Sequence, residues 1–167
     1  VMARRQRQMC IRDRYNTALG YSVLSTQNNT GGGNIYNVAV GYNAGNQVTT
    51  GIQNTLIGSL AGDALTDADL NVAVGYAALT RDTLGSRSTA LGYGTLNSQN
   101  FTSATQTYNT AVGYGAGSGV TTGVQNTLIG GLAGDALTTA SNNIAIGYNT
   151  LTADTLGGNS LAVGSFA

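Results

Sequence analysis

Side chains able to do acid–base or nucleophilic chemistry are scarce here. The 167-residue chain has no His, and its charged residues are seven Arg and seven Asp. General acid–base work would rest on Asp alone. Asp82 and Asp154 recur, but no paired carboxylates recur with them, and Cys10 is the only cysteine. The expectation is a chain that is not an enzyme. Asp63, Asp67 and Asp69 are oxygen donors suited to a hard cation. The matching places in the second half of the chain read Asp135, Thr139 and Ser141, so the set is not repeated. No metal and no cofactor are expected. Gly113-Tyr114-Gly115-Ala116-Gly117 has glycines without the spacing or the strand–helix setting of a phosphate loop.

Other residue types form rows rather than clusters. Thr49, Thr66, Thr83, Thr121, Thr138 and Thr155 stand at one repeated position. Flat threonine arrays on regular rods bind ice, which supplies an alternative reading. Tyr21, Tyr42, Tyr76, Tyr93, Tyr114 and Tyr148 form a second row, which could be a sugar-binding platform. Where Tyr gives way to Ser59 or Gly131, Leu56 or Leu128 replaces a nearby Ala and Leu60 or Leu132 appears. That exchange conserves volume and points the tyrosines inward. Asn28-Asn29-Thr30 and Asn100-Phe101-Thr102 fit the N-glycosylation pattern, which arises easily by chance in a chain rich in Asn and Thr.

The rows follow from a glycine period. Gly20, Gly41, Gly58, Gly75, Gly92, Gly113, Gly130, Gly147 and Gly164 each close a phrase such as N-T-A-V-G. The step from Gly41 to Gly58 is seventeen and recurs along the chain; only Gly20 to Gly41 and Gly92 to Gly113 are longer, at twenty-one. A fixed step of this size marks a solenoid, in which each repeat is one coil stacked on the last. A longer period carries Gly20 to Gly92 and Gly41 to Gly113, so four coils duplicated together. Each glycine either needs φ > 0 or meets a neighbouring backbone closely. Three small or branched apolar residues precede it and read as a short strand. The strand is apolar on both faces, so both faces should be covered. Asn four before the glycine suits a corner and a stacked ladder. The expected fold is all-β: a parallel β-solenoid of nine coils over residues 16–167.

The two long coils gain four residues each, read as outward loops along one edge. Loops on a rigid scaffold are the usual place for recognition. The candidate receptor-binding residues are Asn28, Asn29, Thr30, Asn34, Asn100, Phe101, Thr102 and Gln106.

Five of the seven Arg lie in residues 4–14, so the repeats are mildly acidic. They offer no basic surface to nucleic acid. No apolar run is long enough to span a membrane, and none follows the Arg cluster as a signal peptide requires. Residues 1–15 stand outside the repeats. The string Met9-Cys10-Ile11-Arg12-Asp13-Arg14 resembles translated adapter sequence, and the chain is then a piece of a longer array.

The phrases N-T-A-V-G-Y, N-I-A-I-G-Y and N-S-L-A-V-G, over residues 16–167, resemble the head repeats of trimeric autotransporter adhesins, the YadA-like head. They are also similar to N-T-A-x-G-Y repeats of phage and bacterial tail-fibre-like proteins. The adhesin repeat is typically shorter than the step found here, with Ser where Asn mostly stands in this chain. The resemblance implies a left-handed β-roll, three chains per fibre, and a place outside the cell, on a cell surface or on a virion. A host surface protein or glycan would be the partner. The two-faced strand independently calls for partners. One apolar row, either that of Ala39, Leu56 and Ala73 or that of Val40, Ile57 and Val74, must lie outside a single chain.

Overall fold

A computed structural model describes residues 15–29 and 33–167. Residues 1–14, with Cys10, and Thr30 lie outside the described residues, so the expectations placed on them are not addressed. The described residues are all β, without a helix. In chain order the strands are β1 (Thr17–Leu19), β2 (Val38–Val40), β3 (Thr55–Ile57), β4 (Val72–Val74), β5 (Gly85–Ser86), β6 (Thr89–Leu91), β7 (Thr105–Gln106), β8 (Thr110–Val112), β9 (Thr127–Ile129), β10 (Ile144–Ile146) and β11 (Leu161–Val163).

Strands β5 and β7 pair in a small sheet, and the other nine form one parallel sheet in chain order. Thr55 pairs with Val72, and Ala73 with Ala90, each one coil further on. The glycine step is therefore the step of the sheet, and the chain is a β-solenoid of about eight turns. At about 4.8 Å per strand the stack is roughly 40 Å long.

In the nine-stranded sheet, the glycines from Gly20 to Gly147 that end the strands meet both of their expected constraints, and Gly164, in the last coil, meets that of positive φ. At Gly113, φ is 130° and a Cβ would sit 2.5 Å from the carbonyl oxygen of Gly130. The chain then turns in quick succession. Ala61 N–H donates to the Gly58 carbonyl, Asn46 to Asn43, and Val48 to Gly45. Residues two and four after the glycine take positive φ, as at Ala77 (53°) and Leu79 (57°). Such φ costs a non-glycine residue about 1 kcal/mol, sustained here by the surrounding stack.

Position four before the glycine differs from its expected role as the left-handed corner. The left-handed residue is one earlier, at Tyr36, Gln53, Leu70 and Arg87. The asparagines themselves, from Asn37 to Asn143, are fully buried, Asn16 in the first coil is half-buried, and together they form the expected ladder. Asn54 N–H donates to Asn37 Oδ1 at 2.7 Å, and Asn71 N–H to Asn54 Oδ1 at 2.9 Å. Each side-chain amide also donates within its own coil, Asn54 to the Ala68 carbonyl at 2.7 Å. One side chain thus satisfies a backbone donor and a backbone acceptor in the dry interior.

The interior is filled by the middle strand residue and by small residues from the turns. Ala39, Leu56, Ala73, Ala90, Ala111, Leu128 and Ala145 are all inaccessible to solvent. Leu56 fills space left empty by two glycines: a Cβ on Gly45 or on Gly62 would lie 2.7 Å from its side chain. The Ala-to-Leu exchange therefore balances Gly45 and Gly62, not the missing tyrosine at Ser59.

Candidate functional site

The parity of the strand places the outer face. With the middle residue inward, its two neighbours point out. One outward column runs Val38, Thr55, Val72, Thr89, Thr110, Thr127 and Ile144. The other runs Val40, Ile57, Val74, Leu91, Val112, Ile129 and Ile146. These side chains are half-buried or exposed, with Ile57 and Ile129 at 38%. The row containing Val40 is thus the outer one, as an apolar stripe along the rod.

The residue after each glycine has the same parity as the outward columns. Tyr21, Tyr42, Tyr76, Tyr93, Tyr114 and Tyr148 are exposed, which corrects the expectation that they pack inward. They stack on one another instead. Ring centroids lie 5.6 Å apart for Tyr21 and Tyr42, 5.2 Å for Tyr76 and Tyr93, and 5.3 Å for Tyr93 and Tyr114. The ladder breaks at Ser59 and Gly131. A shorter row stands at the left-handed corner, where Tyr15 stacks on Tyr36 at 5.2 Å and Arg87 lies over Tyr108 at 5.7 Å. Offset stacking of this kind suits exposed aromatic rows.

The candidate loop residues divide. Asn28, Asn34, Asn100, Thr102 and Gln106 are exposed, and Asn29 is half-buried. Phe101 is buried, which corrects its place among loop contacts. Its N–H donates to Asp82 Oδ1 at 3.0 Å, drawing the start of the insertion into the stack. The insertion then adds strand β7 to β5, so only residues 102–104 form an exposed tip. Beneath it lies a polar network that composition did not announce. Gln99 Nε2 donates to Asp82 Oδ2 at 2.5 Å and to Ser88 Oγ at 2.9 Å, and Asn109 Nδ2 donates to Gln99 Oε1 at 2.8 Å.

The threonine row is tied into the stack. Thr66 Oγ1 donates to the Thr83 carbonyl at 3.0 Å, and Thr138 Oγ1 to the Thr155 carbonyl at 2.9 Å. The aspartates are likewise engaged. Thr80 Oγ1 donates to Asp63 Oδ1 at 2.6 Å, Thr50 Oγ1 to Asp67 Oδ1 at 2.5 Å, and Ile52 N–H to Asp69 Oδ1 at 2.8 Å. Desolvation raises the carboxyls of Asp63 and Asp135 above the usual range, partly offset by hydrogen bonds. Asp135 Oδ1 is buried without a partner among the described residues. No three metal-ligating side chains gather among those residues, and no helix there is long and apolar enough to cross a membrane. Comparison with protein-family models, curated proteins and solved structures finds no match.

Proposed function

We propose that the chain is a structural and adhesive segment of an extracellular trimeric fibre, such as an adhesin head or tail-fibre shaft, with no catalysis. The observation that carries this reading is the outward face running the length of the stack, with an apolar column from Val40 to Ile146 beside a column of Val, Thr and Ile. Across its two outward columns it measures about 10 Å by 40 Å, or roughly 400 Å². That is as large as the largest patch on a typical monomer and about half of the roughly 800 Å² each partner buries in a stable complex. Burying Val40, Val74 and Ile129 against other copies removes the stripe from water. The number three and the location on a cell surface or virion come from the repeat phrases. The exposed loop residues Asn28, Asn34, Asn100, Thr102 and Gln106 are then the candidates for contact with a host surface protein or glycan. Threonine hydroxyl protons spent on neighbouring coils support this reading over the ice-binding alternative.

Light scattering tests it. The expected mass is three times the 16.9 kDa of one chain. The variant Ile129→Asp, which puts a charge on the stripe, should fall to monomer while keeping its β-sheet spectrum. A wild-type monomer at micromolar concentration would overturn the trimer.

A further inference from the structure

We propose that the tyrosine rows are a site of oxidative modification, where phenols on adjacent coils couple into dityrosine rungs. The proposal rests on the geometry of one chain and requires the tyrosine row to stay open to solvent when chains associate over the neighbouring Val40 stripe. Tyr21 and Tyr42 lie with ring planes 9° apart, Tyr76 and Tyr93 16° apart, and Tyr93 and Tyr114 11° apart. Near-parallel rings at this separation bring the carbons ortho to each hydroxyl within a small side-chain rotation of one another. The side chains are also accessible: Tyr76 is 49% exposed and Tyr114 63%. An oxidant reaches the phenol, and the first radical formed already has a second phenol beside it. Holding reactants together in this way favours coupling within the pair over encounter between molecules.

The co-reactant is hydrogen peroxide activated by a one-electron-oxidising haem peroxidase. Each of two phenols gives up one electron and its hydroxyl proton. The two phenoxyl radicals join through their ortho carbons, forming one carbon–carbon bond. The hydrogen on each joined carbon then moves to the phenol oxygen, restoring both hydroxyls. Peroxide accepts the two electrons and two protons and leaves as two waters. The product staples residues one coil apart in sequence, which a chain with one cysteine cannot do through an internal disulfide.

The ladder dictates which rungs form. Across Ser59, Tyr42 and Tyr76 are two coils apart, about 9.6 Å, beyond stacking distance. Gly131 separates Tyr114 from Tyr148 in the same way, and Tyr148 meets Phe166 edge-on at 80°. The full chain, mixed equally with heavy-nitrogen-labelled chain, is treated with peroxidase and peroxide, digested, and read by tandem mass spectrometry. Expected are within-chain links at 15–36, 21–42, 76–93 and 93–114. Each should exceed the 42–76 and 114–148 links by about ten-fold, as effective concentration requires. Tyr93→Phe keeps the ring but removes the phenol. It should abolish the two links to position 93 and leave 21–42 unchanged. Ser59→Tyr should create links 42–59 and 59–76. Links spread evenly over all tyrosines, or found mainly between labelled and unlabelled chains, would overturn the proposal.

Discussion

Truncating Leu56 tests how the interior is filled. Leu56→Ala removes three carbons from a site with no solvent access. At about 0.8 kcal/mol per buried carbon, the transfer loss is about 2.4 kcal/mol. The cavity adds to that, because little can collapse into it. The facing positions are Gly45 and Gly62, the flanking strand partners are Ala39 and Ala73, and Val48 and Leu65 line the rest of the space within a closely packed interior. The coils themselves are held in place by their ladder hydrogen bonds. The expected cost is about 3.5 kcal/mol, within the known range for Leu→Ala in cores. Urea denaturation followed by circular dichroism gives the loss. Amide hydrogen exchange in the coils around Leu56 shows whether it is local, since a stack can open in parts. Leu128→Ala should cost the same. The double variant should be additive to within about 0.5 kcal/mol, because the sites lie four coils, about 20 Å, apart. Gly62→Leu supplies a rescue. Four coils with Ala at the strand centre carry Leu at that turn position, as at Leu79 with φ 57°, while those of Ala39 and Ala111 carry Gly45 and Gly117; Gly62, at φ 55°, has the backbone Leu79 adopts. Alone it overpacks; combined with Leu56→Ala it should recover at least about 1 kcal/mol relative to additivity. A cost for Leu56→Ala below about 1 kcal/mol, with no coupling to position 62, would refute the packing described.

Asn126→Ala should cost about 3 kcal/mol in urea denaturation. It strands the Asn143 N–H, held at 3.0 Å, and the Ala140 carbonyl, held at 2.9 Å, and each buried orphan costs about 1–3 kcal/mol. A loss under about 1 kcal/mol would mean that the ladder is replaceable by water. Asp135→Asn should raise the melting temperature at pH 7 and change it little near pH 3. The folded-state pKa of Asp135 is raised by desolvation, so its contribution is fully present below the ordinary Asp pKa and is lost as pH rises through the raised value. A gain of equal size at both pH values would remove ionisation as the cause.

Period, strand and ladder were legible because they are backbone requirements. A glycine whose Cβ would strike the next coil's carbonyl cannot be replaced without cost, so its spacing reports the sheet step directly. The asparagines were legible for a similar reason: a side chain bearing both donor and acceptor can serve a buried backbone in every coil. Their exact station was not, because the left-handed residue before them accepts Tyr, Gln, Leu, Arg and Asn alike. Phe101 was hidden by its setting in a polar, loop-like string. Its burial depends on Asp82, nineteen residues earlier, which no local pattern displays.

The tyrosines carry the sharper lesson about two-faced strands. Volume is conserved across the interior, where Leu56 answers Gly45 and Gly62, and not between Leu56 and the missing tyrosine. Parity was the better signal. The middle strand position holds only Ala or Leu, the narrow choice of a closed interior, while its neighbours range over Thr, Val, Ile and Leu. Counting three residues on from the middle position crosses to the other face and places the tyrosine outside, with Val40 and Ile57. Many threonine, asparagine and aspartate side chains, such as Thr66, Asn54 and Asp63, are meanwhile bonded to neighbouring coils. What the stack leaves open to other molecules includes an apolar stripe, a stacked row of phenols and a few exposed loop side chains. The association, adhesion and cross-linking proposed for this chain would all take place on that outer face.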